Sequence, residues 1–174
     1  MRACHPGWML LAALAGCSPA FNWREVRPVD GGGVALMFPC KPDSHARRVR
    51  LGDDELRLEL HACRAGEITW ALAMTEVSGP DRVAAALTEL QRSSAANLGA
   101  EGPGPATPLI VPGATPHLGS VRLALRGRLP DGQAVRAEVA VFARGTHVYQ
   151  ATALGATLPP EPLETFFASL RVLD

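Results

Sequence analysis

The chain of 174 residues carries 17 basic and 17 acidic side chains, so it has no net charge at neutral pH. That balance excludes a generic nucleic-acid binder, which carries a basic excess. Aromatic residues make up only 5% of a chain rich in Ala, Leu, Val, Gly and Arg, a bias that reads as high-GC codon usage rather than function.

The first segment has the parts of a secretory signal: Arg2, a mostly apolar run from Trp8 to Ala15, and small residues where cleavage would fall. About eight apolar residues cannot cross a hydrocarbon core that needs roughly 20, so this is not a transmembrane helix. An ordinary secretory signal ends in a motif such as Ala-x-Ala. Here Leu14-Ala15-Gly16-Cys17 resembles the lipobox of bacterial lipoproteins. The resemblance implies that residues 1–16 are a lipoprotein signal peptide. The chain would be cut before Cys17, and the sulfur and new amino group of Cys17 would both be acylated. One acyl chain binds a bilayer marginally and several anchor stably. A plain signal peptide with a chance cysteine is the alternative. In enteric bacteria an Asp after the lipidated Cys favours inner-membrane retention; Ser18 is not Asp. The expected location is therefore the cell envelope, anchored to the outer membrane and facing the periplasm.

Removal of residues 1–16 would leave 158 residues, enough for one domain with a real core. Residues 17–32 read as a lipidated tether ending in Asp30-Gly31-Gly32-Gly33, a glycine hinge, and residues 33–174 as a single α+β domain. Within the tether, residues 21–27 are unusually aromatic. Trp23 is either an anchor for a docking partner or, with Val26, packs on the edge of the domain.

Residues 34–38 read as a short buried strand stopped by Pro39 and Pro42. A strand over 47–51 and a turn at Gly52 lead to the alternating stretch 56–63, which predicts Leu56, Leu58, Leu60 and Ala62 on the core face. A turn at Arg64-Ala65-Gly66 precedes a strand over 68–77. Helix-start chemistry at 78–81 opens a helix along Val83, Leu87, Leu90, Ser94 and Leu98, closed by Gly99. Residues 99–116 read as Gly- and Pro-rich loop apart from Leu109-Ile110-Val111. Strands over 121–129, 133–143 and 146–153 follow, with a hairpin at Pro130-Asp131-Gly132. A last helix over 160–170 turns Leu163, Phe166, Phe167 and Leu170 inward. Strands joined by hairpins and interrupted by helices predict an α+β fold: an antiparallel sheet of about six strands flanked by helices.

A strand ending in Phe38-Pro39-x-Lys41-Pro42, a hairpin, a helix after Pro, a three-stranded meander and a closing helix with residues 166–172 complete the pattern. Over about residues 33–173 it resembles small bacterial envelope proteins of the PsbP/MOG1-like kind. The resemblance implies a non-enzymatic binding or assembly module with no catalytic motif and no cofactor. Position 40 departs from the pattern, being Cys where a small residue such as Gly is expected, which favours a private disulfide with Cys63.

The residues themselves leave Cys40 and Cys63 open to several readings. Cys4 would depart with the signal and Cys17 would carry lipid, so an even pair remains in a disulfide-permissive compartment. Cys40, His45, His61 and Cys63 also supply ligand types suited to Zn or Cu. The alternative function is accordingly a periplasmic metal-binding protein using Cys40, His61 and Cys63. Free thiols, or a Cys/His nucleophile pair, complete the set. His117 and His147 read as isolated surface residues at strand starts. Arg122, Arg126 and Arg128 share one face of a predicted strand, with Arg136 across the hairpin. They form a candidate patch for an anionic partner, either lipid headgroups or polyanionic envelope polymers, or else a solvated face balanced by Glu138. The implied partners are thus the bilayer, through Cys17, and an envelope protein or polymer.

Overall fold

A computed structural model describes residues 20–52, 54–100 and 104–174. Residues 1–16, expected to be a signal peptide, and Cys17 lie outside the described residues. No helix among the described residues is long and apolar enough to cross a membrane.

The chain forms β1 (Arg24–Val26), β2 (Val34–Phe38), β3 (Asp43–Leu51), β4 (Asp54–Ala65) and β5 (Ile68–Glu76). It continues through α1 (Val83–Asn97), β6 (Ala106–Pro108), β7 (Val121–Arg128), β8 (Ala134–Arg144), β9 (His147–Gly155), α2 (Pro160–Ala168) and β10 (Arg171–Val172). The large sheet has seven strands in the order β3-β4-β5-β9-β8-β7-β6, and a small sheet has the order β1-β2-β10. All pairings are antiparallel.

The expected α+β class is what forms, but with more sheet than the alternation pattern gives. Three short strands add to the expected ones. β6 lies in the Gly/Pro-rich stretch read as loop, where residues 106–108 pair with Val121–Leu123. β1 lies in the segment read as tether, and β10 follows the last helix. Two- and three-residue strands carry too few residues to show a period, so no sequence pattern marks them.

Each face of the large sheet has its own core. On one face the small sheet and α2 bury Trp70, Leu72, Phe142 and Tyr149 with Leu36, Phe38, Phe166 and Phe167. On the other, α1 lays Val83, Leu87, Leu90 and Ala95 over Leu123, Leu125, Val139 and Val141. Its start follows from Pro80 in a preceding single turn and its end from Gly99 at φ +60, as helix-capping chemistry requires.

The register of β4 corrects one expectation. Cys63 stands opposite Trp70 and His61 opposite Leu72, so these residues face the aromatic core. Leu56, Leu58, Leu60 and Ala62 point to the α1 side and are only half buried. Alternation identified two faces correctly. It could not say that α1, packed mainly on β8 and β9, leaves the leucine face of β4 partly open.

The segment before β2 is part of the folded body from Phe21 onward. Trp23 lies 6.1 Å from Trp70 at 71°, and Phe21 lies 6.2 Å from Trp70 at 89°, edge-to-face geometries favoured by ring quadrupoles. The Asn22 amide donates to the Pro39 carbonyl at 2.7 Å. Of the two readings of Trp23 and Val26, packing against the core is the one seen. The glycines read as a hinge are also packed. The Tyr149 hydroxyl donates to the Gly31 carbonyl at 3.0 Å, and Leu173 donates to the Gly33 carbonyl at 2.8 Å.

Candidate functional site

Cys40 and Cys63 are joined by a disulfide with their Cα atoms 6.1 Å apart. Cys40 follows β2 and Cys63 sits in β4, so the bond ties the small sheet to the large one beside Trp23 and Trp70. Both sulfurs are thereby withdrawn as thiolate ligands or nucleophiles. His61 Nε2 lies 2.7 Å from Glu59 Oε1, while His45 is exposed on edge strand β3. No group of three His, Cys, Asp or Glu suited to a metal ion occurs among the described residues.

The arginines separate into two kinds. Arg122 is a tie between elements. It bonds Glu138 of β8 through Nε at 2.6 Å, reaches Glu164 of α2 at 2.8 Å, and lies 4.3 Å from the Phe167 ring centroid. Burial works against its charge, but the hydrogen bonds it donates to Glu164 and Glu138 outweigh it and leave its pKa raised. Arg126 and Arg136 are exposed and stand directly opposite each other across β7 and β8. Neither has a hydrogen bond or ion pair to another described residue. Arg128 donates to the Gly132 carbonyl at 2.9 Å and is otherwise exposed.

A further feature escaped the sequence reading. Residues 108–118 arch over the end of β8 and enclose a cleft of about 480 Å³ lined by Leu109, Val111, His117, Ser120 and Phe142. Ile110 and Leu118, 93% and 100% exposed, stand on its rim. Behind its lining, the Ser120 hydroxyl is buried with no hydrogen-bond partner, the only such buried side-chain atom among the described residues. An unpaired buried hydroxyl costs about 1–3 kcal/mol.

His117 Nδ1 accepts from the Gly119 amide at 2.9 Å, so in the neutral ring the proton sits on Nε2. The other solitary histidine, His147, is half buried and stacked on Tyr149 at 6.4 Å. The cleft lining carries no charged side chain. Such a surface can hold an apolar group. The Ser120 amide donates to the His117 carbonyl at 2.9 Å, and no hydrogen bond joins their side chains. The apolar triplet Leu109-Ile110-Val111 in a Gly/Pro-rich stretch was the available signal. Nothing in the sequence distinguished Leu118 or Ser120 from other loop residues.

The fold is thus a mixed α+β domain dominated by antiparallel sheet. No protein-family model matches the chain, and no match is found among curated proteins.

Proposed function

We propose that this chain is a non-enzymatic envelope lipoprotein of the PsbP/MOG1-like kind. It is anchored through acylated Cys17 and binds an apolar segment of another envelope protein in the cleft beneath Ile110 and Leu118. The observation that carries the binding role is an uncharged, apolar cleft whose rim residues Ile110 and Leu118 are almost fully exposed. Fully burying an Ile or Leu side chain contributes roughly 1.5–3 kcal/mol. Apolar and aromatic anchors on a partner meet that need. The lipobox-like Leu14-Ala15-Gly16-Cys17 supports the anchor, and the order of strands and helices supports the family reading. The metal-handling alternative is disfavoured because the disulfide occupies two of its three ligands.

The test is photo-crosslinking in the native envelope, with a photoreactive phenylalanine placed at position 118 of the full chain. The expected result is one discrete protein adduct that disappears when Ser120→Leu fills the cleft. The control site is position 29, where Val29 is 99% exposed outside the cleft. Equal labelling from positions 118 and 29, or an adduct unaffected by Ser120→Leu, would overturn the assignment.

A further inference from the structure

Phe21, near the start of the described chain, and the unpaired arginines lie at the same end and on the same face of the large sheet. Ala65 pairs with Ile68, Thr69 with Leu154, Arg136 with Gly155 and Arg126 with Arg136. One transverse row therefore runs from the β4–β5 turn to Arg126. At about 4.8 Å per strand, Arg136 stands roughly 10 Å and Arg126 roughly 14 Å from Ile68.

The described chain reaches this end of the sheet at Phe21. Its ring abuts Gly66 in that same turn, so closely that a Cβ on Gly66 would lie 2.6 Å from it. Phe21 and Trp23 pack on the Trp70 face. Arg126 projects to that face too, because Arg122, four residues earlier in β7, meets Phe167 there. Cys17 lies four residues before Phe21, a span of at most about 14 Å. An anchor at Cys17 therefore holds this end of the sheet next to the bilayer surface.

Like charges directly opposite in a sheet destabilise it, yet Arg126 and Arg136 face each other without an acid bonded to either among the described residues. The nearby acids among the described residues are engaged elsewhere: Glu138 pairs with Arg122, Glu67 with Arg64, and Asp131 accepts from the Gln133 amide.

We infer that Arg126, Arg136 and Arg128 form a docking surface for anionic lipid headgroups, which neutralise the opposed guanidinium pair. This inference rests on the lipid-anchor reading above. The surface sets the domain's orientation. Ser120 lies six residues before Arg126 along β7, roughly 20 Å away at the opposite end of the strand. The apolar cleft would then face away from the membrane, open to a protein partner.

The test uses the chain from residue 18 onward, which lacks both the apolar signal segment and the acylation site, so that binding reports the protein surface alone. Cosedimentation is measured with vesicles of phosphatidylglycerol and phosphatidylcholine, and with pure phosphatidylcholine. We expect binding only to the anionic vesicles, weakening as salt rises. Arg126→Gln with Arg136→Gln should lower the partition coefficient about 30-fold, the expectation for two arginines at an anionic surface. Arg126→Lys with Arg136→Lys should retain most of the binding.

Arg47→Gln with Arg50→Gln is the comparison. These are exposed arginines on edge strand β3, toward the end of the sheet far from Phe21. An equal loss from that pair would show general charge attraction and overturn the inference. So would undiminished binding by the glutamine variant, or an arginine-dependent preference for soluble polyphosphate over vesicles. Inorganic phosphate at matched ionic strength should compete poorly; full competition would assign a phosphate site instead. Acylation is read separately, by mass, on the unmodified chain. Failure of the anchor and failure of the surface are therefore distinguishable.

Discussion

Replacing Cys40 and Cys63 by Ala removes the disulfide that ties the two sheets together. The bond joins residues 23 positions apart. A loop of that length restricts the unfolded chain by about 11–12 cal/mol/K, or about 3.5 kcal/mol at room temperature. For a domain of this size each kcal/mol shifts Tm by about 2–4 °C, so the double variant should melt about 7–14 °C lower. The half-buried sulfurs pack against the aromatic core, and alanine leaves only a small gap there. The assay is urea unfolding of oxidised protein, reduced protein and the double variant, followed by tryptophan fluorescence. Trp23 and Trp70 lie beside the bond and report its surroundings. The loop-closure argument predicts that reduction and double substitution destabilise by similar amounts. A loss below about 1 kcal/mol in both would refute it, and a large loss on substitution but not on reduction would place the effect in packing instead.

Tyr149 offers a pH test. Burial pushes its phenol up to about 12. The neutral form is favoured in the folded state, so this contribution is fully present below the unfolded value near 10 and is lost as pH rises toward 12. Ultraviolet titration should show this tyrosine, the only one in the chain, ionising with unfolding, and stability should fall by about 2–3 kcal/mol across that window. Free ionisation near pH 10 in folded protein would contradict its burial. Arg122→Ala should cost about 2–3 kcal/mol in urea unfolding, because Glu138 and Glu164 lose their shared cation. Arg122→Lys should recover only part of this, since an ammonium lacks the planar fork. Gly33→Ala should destabilise by about 1–3 kcal/mol. Gly33 sits at φ +87, and an added Cβ would collide with the Leu173 carbonyl. A neutral result would show that the chain there moves freely as a hinge.

Much of the fold was legible because long antiparallel strands and amphipathic helices write their period into the sequence. The helix over 83–97 and the meander over 121–155 fell close to their expected bounds for that reason. The half-buried leucines of β4 did not, because exposure there depends on where a distant helix lies. The cysteines were legible as a pair, since two remained once Cys4 and Cys17 were assigned to an expected signal and anchor. Arg122 shows the opposite case. Its spacing grouped it with Arg126, but Glu164 comes from a helix 42 positions later that only the fold brings near. Phe21 and Trp23 looked out of place in a tether because they belong to the aromatic core. The cleft rests on Leu118 and Ser120, whose exposure and burial are set by how one loop arches over Phe142.

The most direct test of the account is the intact mass of the protein extracted from the membranes of a bacterium expressing the full chain, measured before and after reduction and alkylation. The expected product is a chain that begins at Cys17, carries acyl groups on that residue, and takes up alkyl groups at Cys40 and Cys63 only after reduction. A chain cut elsewhere without acyl groups, or one whose two cysteines alkylate without reduction, would contradict it.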